Sequence, residues 1–342
     1  MSRARSWGPL LVIAVVVGAL FATGVFPSPF RRAETAAAPL TGGARSTTAP
    51  PGRVTWGAYV DGADKEPAKF AALEQQTGRL GMASIFRGKG DTWPYPVDHT
   101  LGRGRTLLVS WSLEDWGNYR WWSSGAGDTV LKQQAARLKN YDGALAIRPW
   151  AEMNADWQAF QPTVDGKQPR GGTPAEFKQA WRHVVTLMRA HGVKATWIFN
   201  PTTDVYAAST DVRSIYPGAD VVDAVGLDGY NWGTAAGDAR HRWASFADIF
   251  APQYARLQQA AGDKPVWICE VGSADTAHPR VSGQPVTGGS KAQWLTGLRD
   301  SLPRQFPAVT HVAFFHADKE RDWRLDSTPA VLQAAKDVVA TR

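Results

Sequence analysis

Cysteine is almost missing from this chain. Cys269 stands alone among 342 residues, so no intrachain disulfide can form. A domain of this length is stable on its buried core without one. Charge is sparse as well, at 20% of residues, below the ~25% of ordinary soluble proteins. The seven histidines show no spacing suited to a metal, and the glycine-bearing stretches Arg87-Gly-Lys-Gly90 and Thr287-Gly-Gly289 fit neither a phosphate loop nor a dinucleotide fingerprint. No metal and no cofactor is expected. The net charge of +7 suggests a nucleic-acid partner until its distribution is read. Arg3, Arg5, Arg31, Arg32, Arg45 and Arg53 against Glu34 place +5 of it in residues 1–53 and leave +2 for residues 54–342. A nearly neutral folded part argues against a phosphate-binding surface.

Long apolar runs are also lacking, with one exception. Arg3 and Arg5 precede a charge-free run from Ser6 to Phe30 whose apolar heart is Leu10 to Phe26. That exceeds the ~7–15 residues of a usual signal-peptide core and approaches the ~20 that span a bilayer. Small residues suited to cleavage occur at Ala36, Ala37 and Ala38. Residues 1–30 therefore read as an uncleaved membrane anchor in preference to a cleaved signal, and either one exports the rest of the chain, anchored or secreted. Residues 31–52, rich in Ala, Thr, Gly, Ser and Pro, read as a flexible tether. Residues 53–342 read as one domain, expected to be a monomer.

What the chain has in quantity is tryptophan, 16 residues, and short apolar runs alternating with helical patterns. Candidate strands are Thr55–Val60, Ala83–Phe86, Thr106–Trp111, Ala144–Arg148, Ala195–Asn200, Val222–Asp228, Pro265–Glu270 and Thr310–Phe315. Several are continuously apolar, as parallel strands buried on both faces are. Thr173-Pro-Ala-Glu176 carries a capping box with proline at the first helical position, and the apolar stripe of Phe177, Ala180, Trp181, Val184, Val185 and Met188 comes after it. Asp128 is expected to cap a helix running to about Asn140, and Thr328-Pro329 to open the last helix. Eight strands with intervening helices in one domain mean an α/β fold, a single (β/α)8 TIM barrel.

Barrel active sites lie at the C-terminal ends of the strands. Glu152 comes after the fourth candidate strand and Glu270 ends the seventh. Two carboxyls converging among tryptophans suit the acid/base and the nucleophile of a glycosidase. The plainer alternatives are a solvated Glu152 paired with Arg148 and a Glu270 in a buried ion pair. Trp150 and Trp157 flank Glu152 and are expected to wall it with apolar surface, raising its pKa. Strand alternation turns Cys269 towards the helix layer if Glu270 faces the mouth. Asp228 and Asp318 are further strand-end carboxylates. Trp93, Trp111, Trp116, Trp121, Trp122, Trp157, Trp232 and Trp323 fall in loops or at strand ends, where indole faces suit sugar rings.

These motifs resemble glycoside hydrolase family 26, the family of the β-mannanases. Ile147-Arg-Pro-Trp-Ala-Glu152-Met-Asn154-Ala-Asp-Trp157 is similar to its Arg-Pro-x-His-Glu-Met-Asn-Gly-x-Trp block. Trp197-Ile-Phe-Asn200-Pro201, Val222-Asp-Ala-Val-Gly-Leu-Asp228-Gly-Tyr230-Asn-Trp232 and Lys319-Glu-Arg-Asp-Trp323 resemble its later blocks. The resemblance implies Glu152 as acid/base, Glu270 as nucleophile, Tyr230 as the nucleophile's hydrogen-bond donor, and Arg148, Asn154, Trp157 and Trp232 lining the cleft. His316, at the end of the eighth strand, is a further candidate. It implies a retaining endo-glycosidase acting on a β-linked polysaccharide, β-1,4-mannan first, with a lichenase-like β-glucanase, a β-1,3-xylanase or a catalytically weak polysaccharide-binding protein of the envelope as alternatives. Two positions depart from the family. Ala151 stands where it has His, and Phe314-Phe315-His316 where its mannanases put a Trp.

Overall fold

A computed structural model describes residues 53–277 and 286–341. The expected anchor and tether, residues 1–30 and 31–52, lie outside the described residues. Among the described residues no helix is long and apolar enough to cross a membrane.

Eight strands close into a barrel: β1 (Thr55–Val60), β2 (Met82–Arg87), β3 (Thr106–Trp111), β4 (Ala144–Pro149), β5 (Thr196–Phe199), β6 (Ala224–Asn231), β7 (Val266–Ser273) and β8 (Val309–His316). Each runs parallel to its neighbours, and β8 pairs with β1 to complete the ring. The expected strands are all present, Thr55–Val60 and Thr106–Trp111 with the expected bounds and the others with ends displaced by at most three residues. A two-residue antiparallel ribbon, Thr234–Ala235 with Val286–Thr287, lies outside the ring.

Helices cover the outside. Helix Pro174–Ala190 starts where its sequence says: Thr173 Oγ1 accepts from the Glu176 N–H, and Glu176 reaches back to the Thr173 N–H. Phe177, Ala180, Trp181, Val184, Val185 and Met188 are its buried stripe. Helix Pro329–Val339 is likewise capped by Thr328, which accepts from the Val331 N–H. Helix Asp128–Leu138 corrects the expectation. Gly127 is its N-cap and Asp128 its first residue, whose carboxylate meets His183 Nε2 at 2.6 Å on the neighbouring helix.

Alternate strand residues face opposite ways, and the two sets differ in chemistry. The outward set, including Ile85, Val109, Ile147, Phe199, Leu227 and Ile268, joins the large core beneath the helices. The inward set is apolar low in the barrel, with Met82, Leu108, Ala146, Ile198, Ala224, Trp267 and Ala313. Towards the C-terminal ends it turns polar, with buried Ser84, Ser110, Arg148, Asn200 and Asp228. Gly226 keeps room there, since a Cβ would come within 2.2 Å of Asn200 Oδ1.

Near the mouth, β7 breaks the alternation. The β6–β7 register steps from Leu227↔Ile268 to Asp228↔Glu270, so β7 carries an extra residue at Cys269. A bulge of this kind re-aims the side chains beyond it. Cys269 packs with the inward apolar cluster rather than against the helix layer, and the bulge turns Glu270 to the mouth as well. The expected direction of Cys269 was wrong, although its burial was right.

Thr173→Ala removes the cap of helix Pro174–Ala190 and is expected to cost about 1 kcal/mol. A lowered urea midpoint with an unchanged m-value checks it.

Candidate active site

The turn after β4 carries Glu152 in a backbone conformation that L-residues rarely adopt, with φ of +50° at Trp150 and +61° at Glu152. Such residues cost about 1–3 kcal/mol each and persist only where the surroundings hold them. The clamps are visible. The Glu152 N–H donates to the Asn200 carbonyl at 2.8 Å. Asn154 donates to the Thr202 carbonyl at 3.0 Å and accepts from the Thr202 N–H at 2.8 Å. Asn154 thus works behind the wall, fully buried, and does not line the cavity as expected. Trp150 is another correction. Its positive φ sends the indole into the helix layer against Tyr119, Trp122, Phe177 and Trp181, so it does not wall Glu152. Trp157 does stand in the cavity, 47% exposed.

Glu270 is held on both oxygens. Arg148 Nη2 donates to Oε1, and the Tyr230 hydroxyl donates to Oε2. Arg148 also donates to Asp228 Oδ2 at 2.6 Å and to Ser110 Oγ at 2.7 Å, with no part of its side chain exposed. It lies beneath the cavity floor instead of lining the cleft. Burial works against its charge, but the Asp228 and Glu270 carboxylates outweigh that and hold it protonated. Burial pushes Asp228 above the usual carboxylate range, against the pull of Arg148. Burial, then Glu270, raises the Tyr230 hydroxyl, which stays a donor.

Glu152 has the opposite surroundings. Among the described residues no cation pairs with it, and its pKa is raised well above the ordinary glutamate value, first by burial and then by repulsion from Asp228 and Glu270. The expected apolar indole wall is replaced by general desolvation and like charge. Two carboxyls in one cavity thus differ in contacts, one braced by donors and one left to hold a proton.

The cavity encloses about 790 Å³ at the C-terminal ends of the strands. Glu152, Trp157, Tyr230, Trp232 and Glu270 line it, as do Asp228, Asp318 and Trp323. On Trp232, His241 stacks at 4.8 Å and the Arg321 guanidinium sits over the ring at 5.6 Å. His316 does not line it. Its Nδ1 accepts from the Leu325 N–H at 3.0 Å, and burial lowers its pKa to about 4. Trp93 and Trp122 are packed away. The cavity also receives side chains that the sequence did not single out: Tyr59, Asp61, Phe86, Glu114, Asp204, Tyr206, Arg240 and His241. Their signal was only positional, since Asp61, Glu114 and Asp204 come one to five residues after strand ends.

The profile of glycosyl hydrolase family 26 matches residues 124–274, which span the turn bearing Glu152 and the strand bearing Glu270. The chain belongs to glycosyl hydrolase family 26. It is 31% identical over 287 residues to endoglucanase H of Acetivibrio thermocellus, covering 83% of this chain and 30% of that protein. It is 30% identical over 145 residues to mannan endo-1,4-beta-mannosidase A and B of Caldalkalibacillus mannanilyticus, covering 40% of this chain and 27% of that protein. The chain thus spans under a third of the length of these two relatives. The fold is that of a family 26 β-mannanase from Bacteroides ovatus (TM-score 0.53, 17% identity, 86% of this chain and 89% of that one). It is equally that of Bacillus subtilis mannanase (TM-score 0.55, 17% identity, 85% of each chain).

The buried ion network and the buried histidine each have a measurable signature. Arg148→Met strands Asp228 and Glu270 without their cation and is expected to cost about 3–5 kcal/mol in chemical denaturation. His316 has a folded pKa of about 4, below the ~6.5 of the unfolded chain. Between these values the unfolded state binds the extra proton, so this contribution is intact above ~6.5 and lost as the pH falls towards 4. His316→Asn keeps an acceptor and removes the titration. Thermal melts from pH 7 to pH 4 should show a smaller fall in Tm for the variant than for the parent.

Proposed function

We propose that this chain is a retaining endo-glycosidase acting on a β-linked polysaccharide, with Glu152 as acid/base and Glu270 as nucleophile. The observation that carries the reading is the contrast between the two carboxyls. Glu270, fixed by Arg148 and Tyr230, has the contacts of an anion, while Glu152, half-buried, is raised well above the ordinary glutamate pKa by desolvation and by repulsion from Asp228 and Glu270. In the first step a Glu270 oxygen attacks the anomeric carbon as the glycosidic C–O bond breaks, and Glu152 gives its proton to the departing oxygen. In the second, water attacks that carbon, Glu152 takes the water's proton, and the bond to Glu270 breaks. The Arg148 and Tyr230 donors then receive the carboxylate again.

The substrate we favour is a β-glucan. The similarity to a protein named endoglucanase covers twice as much of this chain as that to the mannosidase. Ala151 and Phe315 line the cavity where the family pattern has His and Trp, and Phe315 stacks on Tyr59 at 4.7 Å. Mannan is the second reading, supported by the mannosidase relatives. Eight of the lining side chains are carboxylic acids against the cations Arg240 and Lys319, which disfavours polyuronides. Export and attachment through residues 1–30 belong to the same proposal, tested by fractionating cells that express the chain with and without them.

Incubation with β-glucan, mannan, xylan and polygalacturonate, followed by product analysis, tests the reading. β-Glucan should give oligosaccharides with retained anomeric configuration by proton NMR, and polygalacturonate should give none. Glu152→Ala and Glu270→Ala should each lose about 10²-fold or more. Equal, low turnover in all three proteins would instead mark a polysaccharide binder.

A further inference from the structure

Leu113–Asp115 form a single 3₁₀ turn directly after β3. β3 pairs with β4 up to Trp111↔Pro149, so this turn rises beside the one that bears Glu152. Leu113 anchors it, fully buried, with its carbonyl accepting from Trp122 Nε1 at 3.1 Å. Glu114 is thereby held in the cavity wall with Ser112 and Gln158. Its surroundings do not satisfy it. The neighbouring cation, Arg170, is engaged by Asp115 at 3.1 Å. Glu114 Oε2 is sealed from solvent and has no hydrogen-bond partner among the described residues. Burial, only partly offset by hydrogen bonds from its own backbone and Ser112, pushes the carboxyl up to about 7. An unmet acceptor in a wall costs the fold its desolvation, and the bare cavity offers nothing in return.

We propose that Glu114 is a substrate-binding residue: its carboxyl takes hydrogen bonds from hydroxyls of a sugar ring seated beside Glu152. Sugars bring what this wall lacks, O–H donors, and a carboxyl half-buried in the wall can accept from one. Ser112 and Gln158 supply neutral polar groups for the remaining hydroxyls. The inference rests on the hydrolase reading and deepens it by naming one group that selects the substrate, and it assigns Glu114 no proton transfer.

Kinetics on β-glucan with the parent chain and Glu114→Ala test it, with melting temperatures as the control for folding. The variant should melt no lower than the parent and raise KM about tenfold or more, with kcat changed less, because the hydrogen bonds to the sugar hydroxyls are lost on binding. An unchanged KM overturns the proposal and leaves the hydrolase reading standing. A second measurement holds if no polysaccharide is cleaved. Calorimetric titration of a cello-hexasaccharide into Glu152→Gln and into Glu152→Gln/Glu114→Ala should show the same loss of affinity. Equal affinities, or no binding to either, overturn the proposal.

Discussion

A single guanidinium, that of Arg148, sits at the junction of everything the barrel mouth does. It is sealed from solvent and touches Ser110 on β3, Asp228 on β6 and Glu270 on β7. One cation facing two buried acids can satisfy both only if the strands hold their register, because a buried charge without its partner costs several kcal/mol. The polar upper layer of the barrel interior is a consequence. Serine, asparagine and aspartate replace the valines and leucines that would pack better, and the apolar layer below supplies the stability that the upper layer gives up.

The same network separates the two glutamates chemically. Arg148 directs its donors to Asp228, Glu270 and Ser110 and has none for Glu152, which is left in the field of its acidic neighbours. Distance along the chain has little to do with it. What matters is that β4 contributes its arginine from within the strand and its glutamate from a left-handed turn beyond, so one strand delivers hydrogen bonds to one carboxyl and none to the other. The turn is held open by the segment after β5: the Asn200 carbonyl and the Thr202 backbone fix Glu152 and Asn154. Backbone strain at the mouth is thus balanced by hydrogen bonds from just beyond the next strand along.

Much of this was legible in the chain. Parallel strands covered on both faces are written as unbroken apolar runs, and eight of them could be read with nearly correct ends. The capping box at Thr173 and Glu176 stated its own geometry. Glu152 and Glu270 were found because strand ends at one face of a barrel are where chemistry gathers. The failures share a cause: composition does not report direction. Trp150 reads as a neighbour of Glu152, yet a positive φ turns it away. Asn154 and His316 have the right chemistry for a cleft but use it on backbone groups behind the wall. Tyr206, Arg240 and His241 come from loops whose convergence is decided by the closed ring and has no local signature.

The extra residue in β7 shows how the ring encodes position by counting. Up to Ile268 the strand keeps step with β6, and from Glu270 onward it keeps step again, one residue late. Were the strand straightened with all its residues in place, Cys269 would stand opposite Asp228 and the Glu270 carboxyl would point into the hydrophobic jacket. A strand shorter by one residue at Cys269 would instead reach the rim without any kink, with the glutamate still opposite Asp228. Relatives that differ by a single gap at this point can therefore share the constellation, while relatives of equal length share it only if they keep the same irregularity. The ruler for locating the carboxyl in such chains is its partner on β6, and the distance from the start of its own strand misleads by one.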